Sequence, residues 1–409
     1  MTEAAGSLPL AGIRVLDLSR LMAGNMLTLQ LADFGAEVIK VESAQGDTLR
    51  DWKNDGKPLW WKVYGRNKKS ICLDLKHNGD RDALLGLVPQ AQVVVESFRH
   101  GGMEAFGLSP AQLHALNPRL VIVRISGWGQ TGPYSERPGF GTLVEAFSGF
   151  AQRNGFPDKP PALPNLGLAD MIAGLSGAFA TLAAVREVEV NGGLGQVVDL
   201  SLLEPMIGVL GPDAAIFQHT GKLPRRLGNR AENAAPRNAY LCSDGHWLVM
   251  SGSTQRMAER VLAAIGRPEL ARDERYIDNA SRIANVESLD ELIGGFIATR
   301  TLQENLAHFG RHEVTVGPVL NADELMQDPH VQEREILVEV PDPELGSVMM
   351  HNVFPRLSRT PGCIRSPAPE IGQDQDLIHI RESIDRDDPD HLDDLDDVRD
   401  RSTQQESSP

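Results

Sequence analysis

The chain opens with short apolar runs alternating with stretches of helical spacing. IRVLDL (13–18) is rich in branched side chains and reads as a buried strand. MLTLQLADFG (26–35) carries Met26, Leu27, Leu29, Leu31 and Phe34 at mixed helical spacing and ends at Gly35, a helix C-cap signal. AEVIKVE (36–42) is a second strand, so the three make a β-α-β unit with a right-handed crossover. KSICLDL (69–75), AQVVVES (91–97) and RLVIVRISGWG (119–129) read as further strands, with DRDALLGLVPQ (80–90) as an intervening helix. This alternation predicts an α/β domain built on a doubly wound sheet.

LGLADMIAGLSGAFATLAAV (166–185) follows, nearly free of charge except for Asp170. Its most apolar part, 171–185, is short and rich in small residues, which predicts a buried core helix rather than a membrane span. GGLGQVVDLSLLEPMIGVLG (192–211) reads as a turn, a strand and a helical stretch. The polar segment 220–238 marks a domain boundary, and AYLCSDGHWLVMSGS (239–253) a hairpin turning at Asp244-Gly245. Helical spacing fills 254–310, a Gly-Pro strand and a helix fill 314–335, and 346–362 reads as a strand with an exit loop.

Composition narrows the function classes. Among 409 residues, 41% are hydrophobic and 23% charged, as in a soluble globular protein. A net charge of −16 argues against nucleic acid as a partner. Part of that charge lies in 384–409, an acidic segment poor in large apolar residues that reads as a disordered, solvated tail. The N-terminus shows no secretory signal, and Cys72, Cys242 and Cys363 show no disulfide framework. A reducing, cytoplasmic setting is the default expectation.

The ends of the predicted strands, where doubly wound sheets bind ligands, are SRLMAGN, SAQGD, KHNGD, SFRHGG and SGWGQTGP. Their basic, glycine and small polar residues suit a phosphate-bearing ligand. No G-x-G-x-x-G, Walker A, G-x-S-x-G or paired-histidine metal motif is present, so no metal is expected. Asp170 fits two compatible roles: an N-cap accepting a free backbone N–H, and a nucleophile kept ionised by the helix dipole.

Nine stretches in order, from LPLAGIRVLDLSRLMAGNMLTLQLADFGAEVIKVE through GRNKKSICLDLKH, ISGWGQTGPYSERPGF and LGLADMIAGLSGAFATLAAV to APEIGQDQDLI, resemble the family III CoA-transferases. The resemblance implies a Rossmann-like large domain that binds CoA, over 1–200 with a C-terminal return at 340–383. It implies a smaller α/β domain over 225–330, linkers at 201–224 and 331–339, and an interlocked, ring-like dimer. It places Asp170 at the nucleophile position, forming an aspartyl anhydride and thioester as CoA moves between an acyl-CoA and a carboxylic acid. Met22, Ala23, Leu73, Lys76, Ser97, Phe98, Arg99 and Phe140 match positions that contact coenzyme A. Ser43 and Ala105 stand where basic residues are usual, Met22 where some members carry a polar side chain, and His100 where proline is usual.

The resemblance also frames the alternatives. An acyl-CoA racemase of the same fold needs a histidine near GPYSERPGF, and none lies between His114 and His219. A homodimer is expected; a related second subunit, with this chain a CoA-binding member of a mixed assembly, is the other arrangement. Succinyl-CoA is the expected donor, with a dicarboxylic or aromatic acid as acceptor. One of Arg225, Arg226, Arg230 and Arg237 is expected to bind the far carboxylate of a dicarboxylic acceptor, unless they only form a solvated basic linker.

Overall fold

The computed structural model describes residues 8–379, so the expected acidic tail at 384–409 lies outside the described residues. The chain divides into two compact units. Within the described residues, the first takes in everything up to Val144, then Gly167–Met206 and the chain from Val338 onward. The second takes in Glu145–Leu166 and Ile207–Leu337.

Six strands form the sheet of the first unit: β1 (Arg14–Leu18), β2 (Glu37–Glu42), β3 (Lys68–Cys72), β4 (Val93–Glu96), β5 (Val121–Ser126) and β6 (Val197–Ser201). Their order is β3-β2-β1-β4-β5-β6 and every pairing is parallel. The order reverses between β1 and β4, the switch point at which such sheets bind ligands. Strands β1, β2, β4 and β5 are largely apolar on both faces because both are covered, so they read in the sequence as near-continuous runs. The open edge at β3 is closed by the C-terminal return: Ser70 N–H donates to Asp374 (2.9 Å) and Cys72 N–H to Gln375 (2.7 Å).

Two helices carry the site. The first spans Leu21–Asp33 and is buried almost all round. It starts five residues before the expected 26–35, so Met22 and Ala23 sit in a helical turn rather than a loop. Phe34 is its C-cap, and Gly35 follows at φ +112°, a backbone suited to glycine. The long helix, Leu168–Val190, crosses it closely through small residues. A Cβ on Gly174 would lie 2.7 Å from Met26 Cβ, and one on Gly177 would lie 2.6 Å from Leu27 Cδ1. At 23 residues, the helix is long and apolar enough to cross a membrane by length and composition, longer than the expected 171–185 stretch. Its face of Ala173, Gly174, Gly177, Ala178 and Thr181 is nevertheless buried in the first unit.

A hairpin of β10 (Leu337–Asp342) and β11 (Gly346–His351) completes the first unit, tied down by Lys62 on Asp342 at 3.0 Å. Much of the segment expected as a linker at 201–224 is helical, as Leu203–Val209 and Asp213–Thr220.

The second unit has an antiparallel sheet of β7 (Arg237–Leu241), β8 (Trp247–Ser251) and β9 (Val316–Pro318), with the hairpin turning at Gly245. Helices Gln255–Ala264, Val286–Ile297 and Leu302–Arg311 pack a core around Leu248, Val261, Leu289, Ile293 and Phe309. Asp290 ties this core to its surface. It accepts from Tyr240 Oη (2.7 Å), Asn238 Nδ2 (2.9 Å) and Arg230 Nε (2.7 Å).

Candidate active site

Asp170 is not the N-cap of the long helix. Gly167 holds that position without a side-chain cap, and Asp170 is the third helical residue. It still lies in the first turn, where the helix dipole favours a carboxylate. The side chain is half-buried. One oxygen lies hard against Gly141, the first residue of the helix Gly141–Phe147: a Cβ on Gly141 would sit 2.1 Å from Asp170 Oδ2.

A doubling of the chain after β5 delivers Gly141 to this place. Gly127 and Gly139 meet backbone to backbone, a Cβ on Gly127 falling 2.6 Å from Gly139 Cα. Trp128 Nε1–H donates to the Pro138 carbonyl (3.1 Å), and Gln130 N–H to Asp199 on β6 (2.9 Å). Phe140, next in the chain, is 59% exposed, an apolar ring left open beside the carboxylate's neighbour.

Met22 approaches from the other side. A Cβ on Gly167 would be 3.6 Å from Asp170 Oδ2 and 3.8 Å from Met22 Cγ. Met22 is 1% exposed and packs with Leu49 and Trp61, with Met171 against the same cluster, so its side chain belongs to the core. Ala23 is buried beside it, and its carbonyl lies against Gly174. Ser97, at the end of β4, accepts a hydrogen bond from Arg20 N–H (2.9 Å) and so fastens β4 to the start of the first helix at the switch point.

The remaining expected contacts are more scattered. Leu73 is buried in the core just past edge strand β3, and its N–H donates to the Glu42 carbonyl (2.8 Å). Phe98 packs on Phe106 (5.6 Å between rings). Lys76 and Arg99 are exposed, with no carboxylate within ion-pair distance among the described residues; Ser43, His100 and Ala105 are exposed too. Free cations past the ends of β3 and β4 fit a phosphate-bearing substrate. The structure thus brings Gly141, next to Phe140, against Asp170, and sets Met22 and Ala23 against the start of the same long helix at Gly167 and Gly174.

Sequence reasoning missed the buried charge cluster beneath the first helix. Lys40 lies 2.8 Å from Asp47 and 3.3 Å from Asp17; Lys68 lies 3.3 Å from Asp17 and 2.7 Å from Asn25 Oδ1. Burial alone raises the Asp47 carboxyl, but Lys40 and the Leu49 N–H overcome it and hold it down at about 2. Burial pushes the Lys68 ammonium down to about 8 against the pull of Asp17. For Lys40, Asp17 and Asp47 outweigh burial and raise the pKa. The signal was a charge inside each strand run: Asp17 in IRVLDL and Lys40 in AEVIKVE.

Leu21 begins the first helix at φ +62°, a left-handed backbone that costs a side chain-bearing residue on the order of 1–2 kcal/mol. Its N–H donates to Asp47 Oδ1 (3.0 Å), and its carbonyl accepts from Asn25 Nδ2 (2.6 Å). Among the described residues no group of three or more His, Cys, Asp or Glu side chains is arranged to hold a metal ion.

Comparison with known proteins identifies the family. The model of CoA-transferase family III matches residues 10–375. The chain is 39% identical over 369 residues to succinyl-CoA–D-citramalate CoA-transferase of Chloroflexus aurantiacus, covering 89% of this chain and 92% of that one. It is 35% identical over 374 residues to the beta subunit of succinyl-CoA–L-malate CoA-transferase of the same organism, covering 90% and 92%. The crystal structure of a CAIB/BAIF family protein from Brucella suis superposes with a TM-score of 0.82 at 30% identity, covering 92% of this chain and 99% of that one. The chain therefore belongs to CoA-transferase family III, and it is a transferase whose substrates are CoA thioesters and carboxylic acids.

Proposed function

We propose that this enzyme moves CoA from succinyl-CoA to a dicarboxylic acid through an acyl group carried on Asp170. The observation that carries this reading is the placement of the Asp170 carboxylate: half-buried, in the first turn of the long helix, with one oxygen against a glycine that admits no side chain. A carboxylate is ionised at neutral pH and needs no partner base to attack.

Asp170 attacks the thioester carbonyl carbon; the C–S bond breaks, CoA leaves as thiolate and a mixed anhydride forms. The thiolate attacks the Asp170 carbonyl, which releases succinate and leaves an aspartyl-CoA thioester. The acceptor carboxylate attacks that thioester and expels the thiolate. The thiolate then takes the acceptor acyl group and frees Asp170. One thioester is made as another is lost, so no ATP is consumed. Met22 offers no polar side chain, so backbone N–H groups are left to stabilise each oxyanion.

Names of relatives support the substrate class. They include succinyl-CoA–D-citramalate, succinyl-CoA–L-malate and succinate–glutarate CoA-transferases, each pairing dicarboxylic acids. In the second unit, Arg230 is committed to Asp290, while Arg225, Arg226 and Arg237 have no carboxylate within ion-pair distance among the described residues. Arg225 and Arg226 line a cleft of about 1100 Å³ within the second unit, a setting suited to an anionic group. Racemisation lacks its second acid-base group: the residue beside Gly141 is Phe140, not histidine.

The working unit is a dimer. Leu175, Phe179 and Leu182 form an exposed apolar stripe on the long helix, with Phe179 76% exposed, as an interface between chains requires. The relatives with separate alpha and beta subunits make a second, similar chain the alternative partner.

The test is to incubate the enzyme with succinyl-CoA and a panel of mono- and dicarboxylic acids and to separate the acyl-CoA products. Dicarboxylic acceptors should be converted at least tenfold faster than monocarboxylic ones. No new acyl-CoA from any acid would contradict the reading.

A further inference from the structure

We infer that Asp47 is a positioning residue for acyl transfer: its carboxylate holds Leu21 in the left-handed backbone that sets Met22 beside Gly167 and Ala23 beside Gly174, on the helix that carries Asp170. The inference rests on Asp170 being the reacting group.

Asp47 is 3% exposed and both of its oxygens are occupied. Oδ1 accepts from Leu21 N–H (3.0 Å) and Leu49 N–H (2.8 Å). Oδ2 accepts from Asn25 Nδ2 (2.8 Å) and pairs with Lys40 (2.8 Å). Leu21 is thus gripped at both its N–H and its carbonyl, since Asn25 also donates to its carbonyl (2.6 Å). Lys40 in turn donates to the Ser19 carbonyl (2.5 Å), and Lys68 to Asn25 Oδ1 (2.7 Å). The loop Ser19–Leu21 therefore hangs from buried charges, with Asp47 holding the N–H of the left-handed residue.

The consequence for the site follows from the next residues. Left-handed residues with side chains persist only where surrounding contacts over-determine them, and they cluster at functional sites. Released from Asp47, Leu21 relaxes to an ordinary backbone, and the first turn of the helix rotates with it. Met22 lies against Gly167, and the Ala23 carbonyl packs at Gly174, so the turn cannot rotate without moving the floor under Asp170. A shift of about 1 Å in reacting geometry costs on the order of 100-fold in rate.

The experiment compares steady-state kinetics of the full-length enzyme with its Asp47→Ala, Asn25→Ala and Asp47→Ala/Leu21→Gly forms, using succinyl-CoA and the best acceptor. Asp47→Ala removes the acceptor of the Leu21 N–H and should lower kcat about 100-fold with KM for succinyl-CoA within threefold of wild type. Glycine adopts a positive φ without strain, so Leu21→Gly in that background should restore kcat at least tenfold, which a general loss of stability would not allow. If Asp47→Ala does not fold, Asn25→Ala carries the test, because it loosens the other end of Leu21 and should give the same kcat-selective loss. Folded Asp47→Ala with wild-type kcat, or a loss that Leu21→Gly does not relieve, overturns the inference. Asp170→Asn, measured alongside, separates the two readings: if it keeps full transferase activity, the role given to Asp170 fails instead.

Discussion

Gly141 has no side chain because the Asp170 carboxylate occupies the space one would fill: a Cβ there would lie 2.1 Å from Oδ2. Gly141→Ala must therefore displace the carboxylate or the start of the helix Gly141–Phe147. We expect kcat to fall about 100-fold, because the displaced group is the reacting carboxylate itself. Steady-state kinetics with circular dichroism as a folding control checks this.

The exposed stripe on the long helix gives a second expectation. Phe179→Asp places a charge on its most exposed ring position, at 76% accessibility. The wild type should run at twice the chain mass of 44.6 kDa in light scattering, and the variant at the mass of one chain. Equal masses for the two proteins would remove the stripe from the interface.

Acid stability should report the cluster beneath the first helix. The Asp47 carboxyl sits at about 2 in the folded protein, below its ordinary 3.8. A carboxyl lowered on folding contributes stability that is present above the ordinary value and lost as pH falls through the folded one. Its share is on the order of 2 kcal/mol, lost between about pH 4 and pH 2. Urea midpoints measured across that window should fall for wild type and fall less steeply for Asp47→Asn.

Most of the sheet was legible because β1, β2, β4 and β5 are parallel strands buried on both faces, and such strands appear as near-continuous apolar runs broken only by single charges such as Asp17 and Lys40. The first helix was misplaced at its start because Leu21 enters it with a left-handed backbone set by Asp47, which lies far along the chain. Asp170 was legible as a first-turn acid but not as the third helical residue, since Gly167 takes the cap without a side chain. Gly141 was invisible: its closeness to Asp170 arises only when Gly127 meets Gly139 in the folded loop. The allotment of Glu145–Leu166 to the second unit was equally hidden, because apolar spacing does not say which core a helix joins.

The most direct test of the central claim is intact-protein mass spectrometry after incubation with succinyl-CoA and hydroxylamine, which traps an aspartyl anhydride or thioester as a hydroxamate. The account predicts a mass shift in wild type that maps to Asp170 and is absent from Asp170→Ala. Transfer of CoA without any adduct at Asp170, or transfer that survives Asp170→Ala, would contradict it.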